Sequence, residues 1–348
     1  MHFTRVFTRS LSRTGLRIAF FGLDGFSVAS LQHLHKLHQD QPGVVDAIDV
    51  VSRTIKPTGR GMKQKKELPI GECAQALGLT VRRADSADDI IRLGDENDYN
   101  MVVAVLYGQL IPAAFISRCE YGGLNVHPSL LPKYSGLLPI QYALLNDDLA
   151  TGVTVQLLHP TKFDHGDIIV QSDPVAIHAH DNYALLAERL GDLGGRHLAL
   201  VLANQWYLPT HPRVKKTYEF SLARKIKPAQ LQINWHQLDL RQVKRMYDAL
   251  GPLYTYKFVD LPKKRKQEYQ RVILLGITEA DGGKELAPGQ FAINASTGNL
   301  EVGCADDSKI SVTKVKQQCC EEETPAKFTG SLRKRTGDTD PVFEWRES

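Results

Sequence analysis

The chain has 348 residues, of which 42% are hydrophobic and 24% charged, with a formal net charge of +4. That is ample material for two globular domains, while no window approaches the about 20 consecutive apolar residues of a membrane span. Cys319 and Cys320 are adjacent, Cys73, Cys119 and Cys304 are scattered, and the absence of any C-x-x-C spacing argues against a disulfide framework or a cysteine metal site, as a reducing compartment would have it.

Residues 1–16 hold Arg5, Arg9 and Arg13, frequent hydroxyls and no acid. On a helix the arginines would stack on one face and Phe3, Phe7 and Leu11 on another. This is the composition of a mitochondrial transit peptide; a basic tail is the plainer alternative.

Residues 17–22, Arg-Ile-Ala-Phe-Phe-Gly, form a short apolar run stopped by glycine, which predicts a buried strand. Val28, Leu31, Leu34 and Leu37 at three-residue steps predict a helix. Residues 44–51 read as a second strand, 70–77 as a helix ended by Gly78, and 88–93 as a helix ended by Gly94. A third strand at 101–106 and a fourth at 123–126 follow. Strands separated by helices predict an α/β fold with a Rossmann-like, mostly parallel sheet. Such sheets bind ligands at the carboxyl ends of their strands, where Tyr107-Gly108 and His127 fall. The turn Gly22-Leu23-Asp24-Gly25-Phe26 lacks the G-x-G-x-x-G spacing and gives no support to nicotinamide binding.

Residues 52–66 contain Arg53, Lys56, Arg60, Lys63, Lys65 and Lys66, no acid, two glycines and a proline. That composition predicts a loop, and a solvated surface loop is the usual meaning of such a run. The chain then reaches Leu124-Asn125-Val126-His127-Pro128-Ser129-Leu130-Leu131-Pro132. Positions two apart on a strand point the same way, so Asn125 and His127 project together where Pro128 ends the strand. An amide beside an imidazole, with a carboxylate from Phe163-Asp164-His165-Gly166-Asp167, reads as an oxyanion and proton-transfer site. Taken singly, Asn-x-His is more often a satisfied strand end, and the aspartates could cap a turn. His159 and His165 have no recognisable metal-ligand spacing.

Residues 182–207 predict a long helix, and the prolines of 208–212 a linker. Beyond it come a helix at 240–250, stopped by Gly251-Pro252, and β-like runs at 254–258, 272–276, 299–302 and 310–315. Charge divides along the chain: residues 18–210 carry 15 Lys+Arg against 21 Asp+Glu, and residues 211–348 carry 24 against 18. A basic second half suits a polyanionic partner.

The phrase from Gly123 to Gly136, with Pro139-Ile140-Gln141 and Phe163-Asp164-His165-Gly166-Asp167, resembles the formyltransferase family that uses 10-formyltetrahydrofolate. Gly59-Arg60-Gly61 and the lysines after it resemble the inserted loop by which the methionyl-tRNA branch clasps the acceptor arm. The segment 218–227 and Ile233-Asn234-Trp235 resemble the start of that branch's C-terminal domain. Three departures are Asp24-Gly25-Phe26 for the usual Pro-Asp-Phe, Asn234 for the usual Asp, and His165 for a small residue. The resemblance is strongest over 102–166 and weakest after 258.

It implies catalysis by Asn125, His127 and Asp164. It implies folate along Tyr107-Gly108 and Ser129-Leu130-Leu131-Pro132, with 10-formyltetrahydrofolate as co-substrate and no metal. Initiator methionyl-tRNA would meet Arg60, Lys63, Lys65 and Lys66, and a barrel loop carrying Lys263, Lys264, Arg265 and Lys266. The expected organisation is a transit peptide at 1–16, a catalytic domain at 17–207, a linker at 208–217, a smaller open, OB-like, tRNA-binding β-barrel at 218–337 and a loose tail at 338–348. A monomer in the mitochondrial matrix, with no membrane association, completes the expectation. Two alternatives stay open: a folate formyl enzyme acting on a glycinamide ribotide, a sugar amine or water, and a non-catalytic RNA-binding protein on this scaffold.

Overall fold

The computed structural model describes residues 15–55, 57–58, 64–280, 282 and 285–347, which divide into two compact units. The first runs to Pro139 and takes in Ala150–Ala176 and Leu185–Ala223; the second takes Ile140–Leu149, Ile177–Ala184 and the chain from Arg224.

In the first unit, β1 (Leu16–Gly22), β2 (Val45–Ser52), β3 (Thr80–Arg83), β4 (Met101–Val105), β5 (Gly123–His127), β6 (Thr154–Leu157) and β7 (Ile168–Gln171) form one sheet, in the order β7-β6-β5-β4-β1-β2-β3. The five from β3 to β5 are parallel; β6 and β7 are antiparallel additions. The expected mostly parallel sheet is therefore present, with three strands more than the four predicted. β3 was illegible because it is an edge strand with no fully buried side chain. Leu16, expected to be the last residue of a transit peptide, is instead buried in β1, where its N–H donates to Val44 O at 2.9 Å. Residues 1–14 lie outside the described residues.

Helix α1 (Gly25–Asp40) starts at Asp24, whose Oδ1 accepts from Ser27 N at 3.0 Å while Ser27 Oγ accepts from Asp24 N at 3.0 Å. The glycine-flanked turn is thus a helix cap. Burial pushes the Asp24 carboxyl up despite its bonds to Ser27. The remaining helices are α2 (Pro69–Ala76), α3 (Ala87–Glu96), α4 (Ala113–Ile116), α5 (Pro139–Leu145) and α6 (Tyr183–Ala203). α3 continues through Gly94, where the sequence suggested a stop. A Cβ there would meet the Phe115 ring at 2.8 Å, so the glycine serves close packing. Phe21 sits edge-on to Tyr107 at 5.1 Å and to Phe115 at 5.7 Å in the core on that face of the sheet.

In the second unit, α7 (Leu240–Leu250) is capped by Asp239 and ended by Gly251 at φ +77°. It precedes β8 (Leu253–Leu261), β9 (Lys266–Glu279), β10 (Phe291–Ile293), β11 (Leu300–Gly303) and β12 (Lys309–Gln317), then α8 (Pro325–Thr336). The strands form an antiparallel sheet in the order β8-β9-β12-β11-β10, the curled half-barrel that was expected. Its core gathers Trp235, Phe291, Phe328 and Phe343.

The compact units depart from the expected boundaries at two places, and the end of the chain is packed. Residues 140–149, expected in the first domain, group with the second unit, because Asp147 receives Arg241 Nε at 2.5 Å and Arg245 Nε at 3.0 Å. Residues 208–223 group with the first: the Arg213 guanidinium donates to the carbonyls of Trp206, Tyr207 and Leu208, Val214 N donates to Ile168 O at 2.8 Å, and Leu222–Ala223 pairs with Ser135–Gly136. Finally, residues 338–347, expected within a loose tail, are packed. Phe343 is buried, Val342 bridges Gln290 beside β10, and Glu344 bridges Tyr256 on β8. The segment joins the two edges of the five-stranded sheet, satisfying backbone groups that an open edge would leave unpaired.

Candidate active site

β5 delivers Asn125 and His127 to one side of its carboxyl end, and the turn after residue 158 brings Asp164 to them. Asp164 is held in the left-handed region at φ +55°. Its Oδ1 accepts from Asn125 Nδ2 at 3.1 Å and from Gln156 Nε2 at 3.2 Å. Its Oδ2 accepts from Gly136 N at 2.8 Å and lies 3.3 Å from His127 Nε2. The His127 and Asp164 side chains are only 4% and 6% exposed. Burial works against the Asp164 carboxylate. The His127 ring beside it, and the bonds from that ring and from Gly136 N, outweigh burial and hold the carboxyl below its usual range.

The orientation of His127 follows from proton counting. Ser129 has one hydroxyl proton, which goes to Lys133 O at 2.6 Å. The Ser129 oxygen therefore accepts from His127 Nδ1, 2.9 Å away. Nε2 then faces two acceptors, Asp164 Oδ2 and Gly136 O, each at 3.3 Å. Ser129 itself is fixed by β6 and β7. Thr154 Oγ1 donates to Ser129 O at 2.7 Å and accepts from Leu131 N at 3.1 Å; Gln171 Nε2 donates to Leu131 O at 2.9 Å.

Among the residues expected along the folate, Ser129, Leu130 and Leu131 are buried and Pro132 half-buried, so this loop's observed work is to brace His127. The Tyr107 ring is also core: it is 2% exposed, and its hydroxyl donates to Ala84 O at 2.7 Å. Leu106 and Gly108 on either side have φ +46° and +72°, and Gly108 is exposed. What segment 106–108 can offer a ligand is its backbone and the space beside Gly108.

Sequence reasoning missed Gln156. It stands directly opposite Asn125 in the β5–β6 register, and its Oε1 is buried with no hydrogen-bond partner among the described residues. The alternation Val153-Thr154-Val155-Gln156 was a strand signal that could have found it. His159 and His165 stack edge-on at 6.4 Å, and among the described residues no group of three or more His, Cys, Asp and Glu could hold a metal.

Of the basic residues, Arg60 and Lys63 lie outside the described residues, as does the Lys65 side chain; Lys66 is exposed. The flanks of that loop form a two-residue antiparallel ladder, Pro57–Thr58 against Gln64–Lys65. In the second unit, Lys263, Lys264 and Arg265 are exposed on a tight turn between β8 and β9, and Lys266 Nζ lies 3.0 Å from Glu268. A cavity of about 370 Å³ on the same sheet is lined by Tyr256, Arg271, Ile273, Lys316 and residues 317–319.

Residues 16–202 match the formyl transferase family, and residues 225–333 match the formyl transferase C-terminal domain. The chain is 32% identical to the mitochondrial methionyl-tRNA formyltransferase of Saccharomyces cerevisiae, covering 92% of this chain and 90% of that protein. It is 28% identical to the Bos taurus protein of the same name, over 84% of this chain and 72% of the relative. Among solved structures, HypX from Aquifex aeolicus in complex with tetrahydrofolic acid superposes with a TM-score of 0.58 at 14% identity, covering 96% of this chain and 51% of that chain. A sugar N-formyltransferase from Shewanella gives 0.51 at 20% identity, covering 68% and 88%. At these identities the structural likeness concerns the fold.

Proposed function

The chain belongs to the formyl transferase family, and from that premise we propose that it moves the formyl group of 10-formyltetrahydrofolate to the α-amine of methionine on initiator tRNA. The observation that carries this reading is the Asn125–His127–Asp164 cluster, with its carboxylate held ionised against an imidazole whose second nitrogen is already committed to Ser129. The family membership and the identity to the yeast relative over nearly the whole chain support the choice of acceptor.

The amine's lone pair attacks the formyl carbon of the folate; the bond from that carbon to N10 then breaks as the carbonyl re-forms, and tetrahydrofolate leaves with a proton on N10 that balances the one given up by the amine. Asn125 Nδ2–H and His127 Nε2–H are the donors suited to the formyl oxygen as it gains negative charge. Asp164 holds the ring and takes the amine's surplus proton through water. The backbone of residues 106–108 lines the folate side. The Lys263–Lys266 turn of the second unit, and the loop carrying Arg60, Lys63, Lys65 and Lys66, are the basic segments that contact the tRNA. The enzyme works as a monomer in the mitochondrial matrix, its N-terminal residues acting as the address. Replacing Arg5, Arg9 and Arg13 by Glu should abolish organellar import and leave purified activity intact.

The deciding experiment incubates the protein with labelled formyl donor and, in parallel, charged initiator tRNA, glycinamide ribotide, or no acceptor. Label on methionine of the charged tRNA alone is expected. Label on the ribotide, or release of formate without acceptor, would replace the tRNA reading with one of the alternatives.

A further inference from the structure

We propose that Arg53 is a phosphate-binding residue for the 3′-terminal strand of the charged tRNA, an anchor at the sheet's carboxyl edge outside the Asn125–His127–Asp164 cluster. The inference rests on the tRNA reading above. Arg53 is the first residue after β2. Its guanidinium carbon lies 5.8 Å from the centre of the Tyr107 ring, which is fixed by its bond to Ala84 O. One terminal nitrogen reaches to 4.0 Å from where a Cβ on Gly108 would stand, so the missing side chain there leaves the flank of the fork open.

Arg53 Nε is buried and has no hydrogen-bond partner among the described residues. The adjacent arginines are all committed. Arg82 pairs with Asp49 at 3.0 Å and Arg83 with Glu67 at 2.5 Å, and Asp85 Oδ1 accepts from Thr54 N at 3.2 Å. Among the described residues no carboxylate comes within ion-pair distance of Arg53. A guanidinium with an orphaned donor and no counter-charge, at the edge of a parallel sheet, is suited to a ligand oxyanion.

The position favours a phosphodiester. Arg53 follows β2 and His127 ends β5, with β1 and β4 between, so about 14 Å of sheet separates them. That is the reach from the methionyl amine back along one to two nucleotides. Arg53 is also the root of the acid-free run that contributes Lys56, Arg60, Lys63, Lys65 and Lys66. The folate's glutamyl carboxylates are the competing anion, and the test separates the two.

Steady-state formylation is measured for wild type, Arg53→Ala and Arg53→Lys, varying charged initiator tRNA at several salt concentrations, with folate binding measured directly. The Arg53 main-chain carbonyl, which accepts from Arg83 Nη1 at 2.9 Å, is untouched by either change, and a thermal melt confirms folding. Arg53→Ala should raise the KM for tRNA about tenfold and flatten the slope of log affinity against log salt by about 0.7, one single-strand phosphate contact. Arg53→Lys should keep the slope and recover part of the KM. Folate affinity should not move. An unchanged KM and salt slope in Arg53→Ala would overturn the proposal and leave Arg53 as packing over Tyr107. A loss confined to folate affinity would overturn it in favour of a carboxylate. The tRNA reading itself fails only if wild type does not formylate charged tRNA, so the two failures are distinct.

Discussion

Asp164 is the residue on which the site converges, since every hydrogen bond it accepts comes from a group with a separate task. Asn125, Gln156, Gly136 and His127 all aim at its two oxygens. Asp164→Asn keeps the shape but removes the charge, and one face of the new amide presents hydrogens to donors. Turnover should fall by about a hundredfold or more, read in single-turnover formylation with donor and acceptor saturating. The acid stability should change with a defined sign. A carboxyl held below its ordinary value of 3.8 stabilises the fold fully above that value. The contribution is lost as pH falls through the lower folded value. Wild type should therefore lose thermal stability over that acid interval, and Asp164→Asn should lose less of it. Gln156→Leu is the contrasting variant, since it takes one donor from Oδ1 and leaves Asn125 in place. It should reduce kcat by about tenfold and leave the KM for tRNA alone, as a positioning residue would. Equal pH–stability curves for wild type and Asp164→Asn would mean the carboxylate is not held as described.

At the scale of elements, the site is a strand end plus two loops locked by backbone contact. Gly166 shows how tightly. A Cβ there would lie 1.7 Å from Leu157 O, at the end of β6, and no side-chain rotation relieves a clash with a carbonyl. Gly166→Ala should cost about 1–3 kcal/mol of stability and a much larger share of turnover, because the loop that must shift carries Asp164. Comparing the thermal midpoint with kcat tests this, and wild-type turnover would show that the loop does not fix the carboxylate. These contacts explain what could be read beforehand. β1, β2, β4 and β5 were legible as apolar runs, since both faces of a central parallel strand are covered, and Asn125, His127 and Asp164 came from a long motif. β3 carries two arginines on an edge, β6 places Thr154 and Gln156 under the site, and neither reads as buried. Tyr107 and Ser129-Leu130-Leu131 were expected as folate contacts, and their side chains are buried. Their burial, and the bonds by which Ser129 braces His127, are not legible from composition and spacing.

The whole molecule divides its labour between two cores. The first unit carries the Asn125–His127–Asp164 cluster on its sheet, while the basic excess of the last part of the chain, 24 Lys+Arg against 18 Asp+Glu over residues 211–348, is shared between the units, because residues 211–223 group with the first. The second core depends on the last residues of the chain. Phe343 is 2% exposed, stacks on Phe291 at 4.3 Å between ring centres, and faces Trp235 at 6.4 Å. Its N–H donates to Gly289 O at 2.8 Å, and Glu344 N donates to Tyr256 O at 2.8 Å. Lys257 strengthens the same seam, with Nζ donating to Thr339 Oγ1 at 2.7 Å. Phe343→Ala removes an aromatic side chain from a packed core and should cost about 3–5 kcal/mol; deletion from residue 338 should cost more, because it also reopens both sheet edges. Chemical denaturation of the full chain measures the loss, and folate binding measures whether the first unit survives it. The expected result is a destabilised second unit, impaired use of charged tRNA and folate affinity close to wild type. If Phe343→Ala unfolds at the wild-type denaturant concentration, the C-terminal segment is an accessory to the barrel and not its closing strand. Loss of folate binding in step with stability would mean the two cores unfold as one, and the division of labour would then hold for chemistry but not for folding.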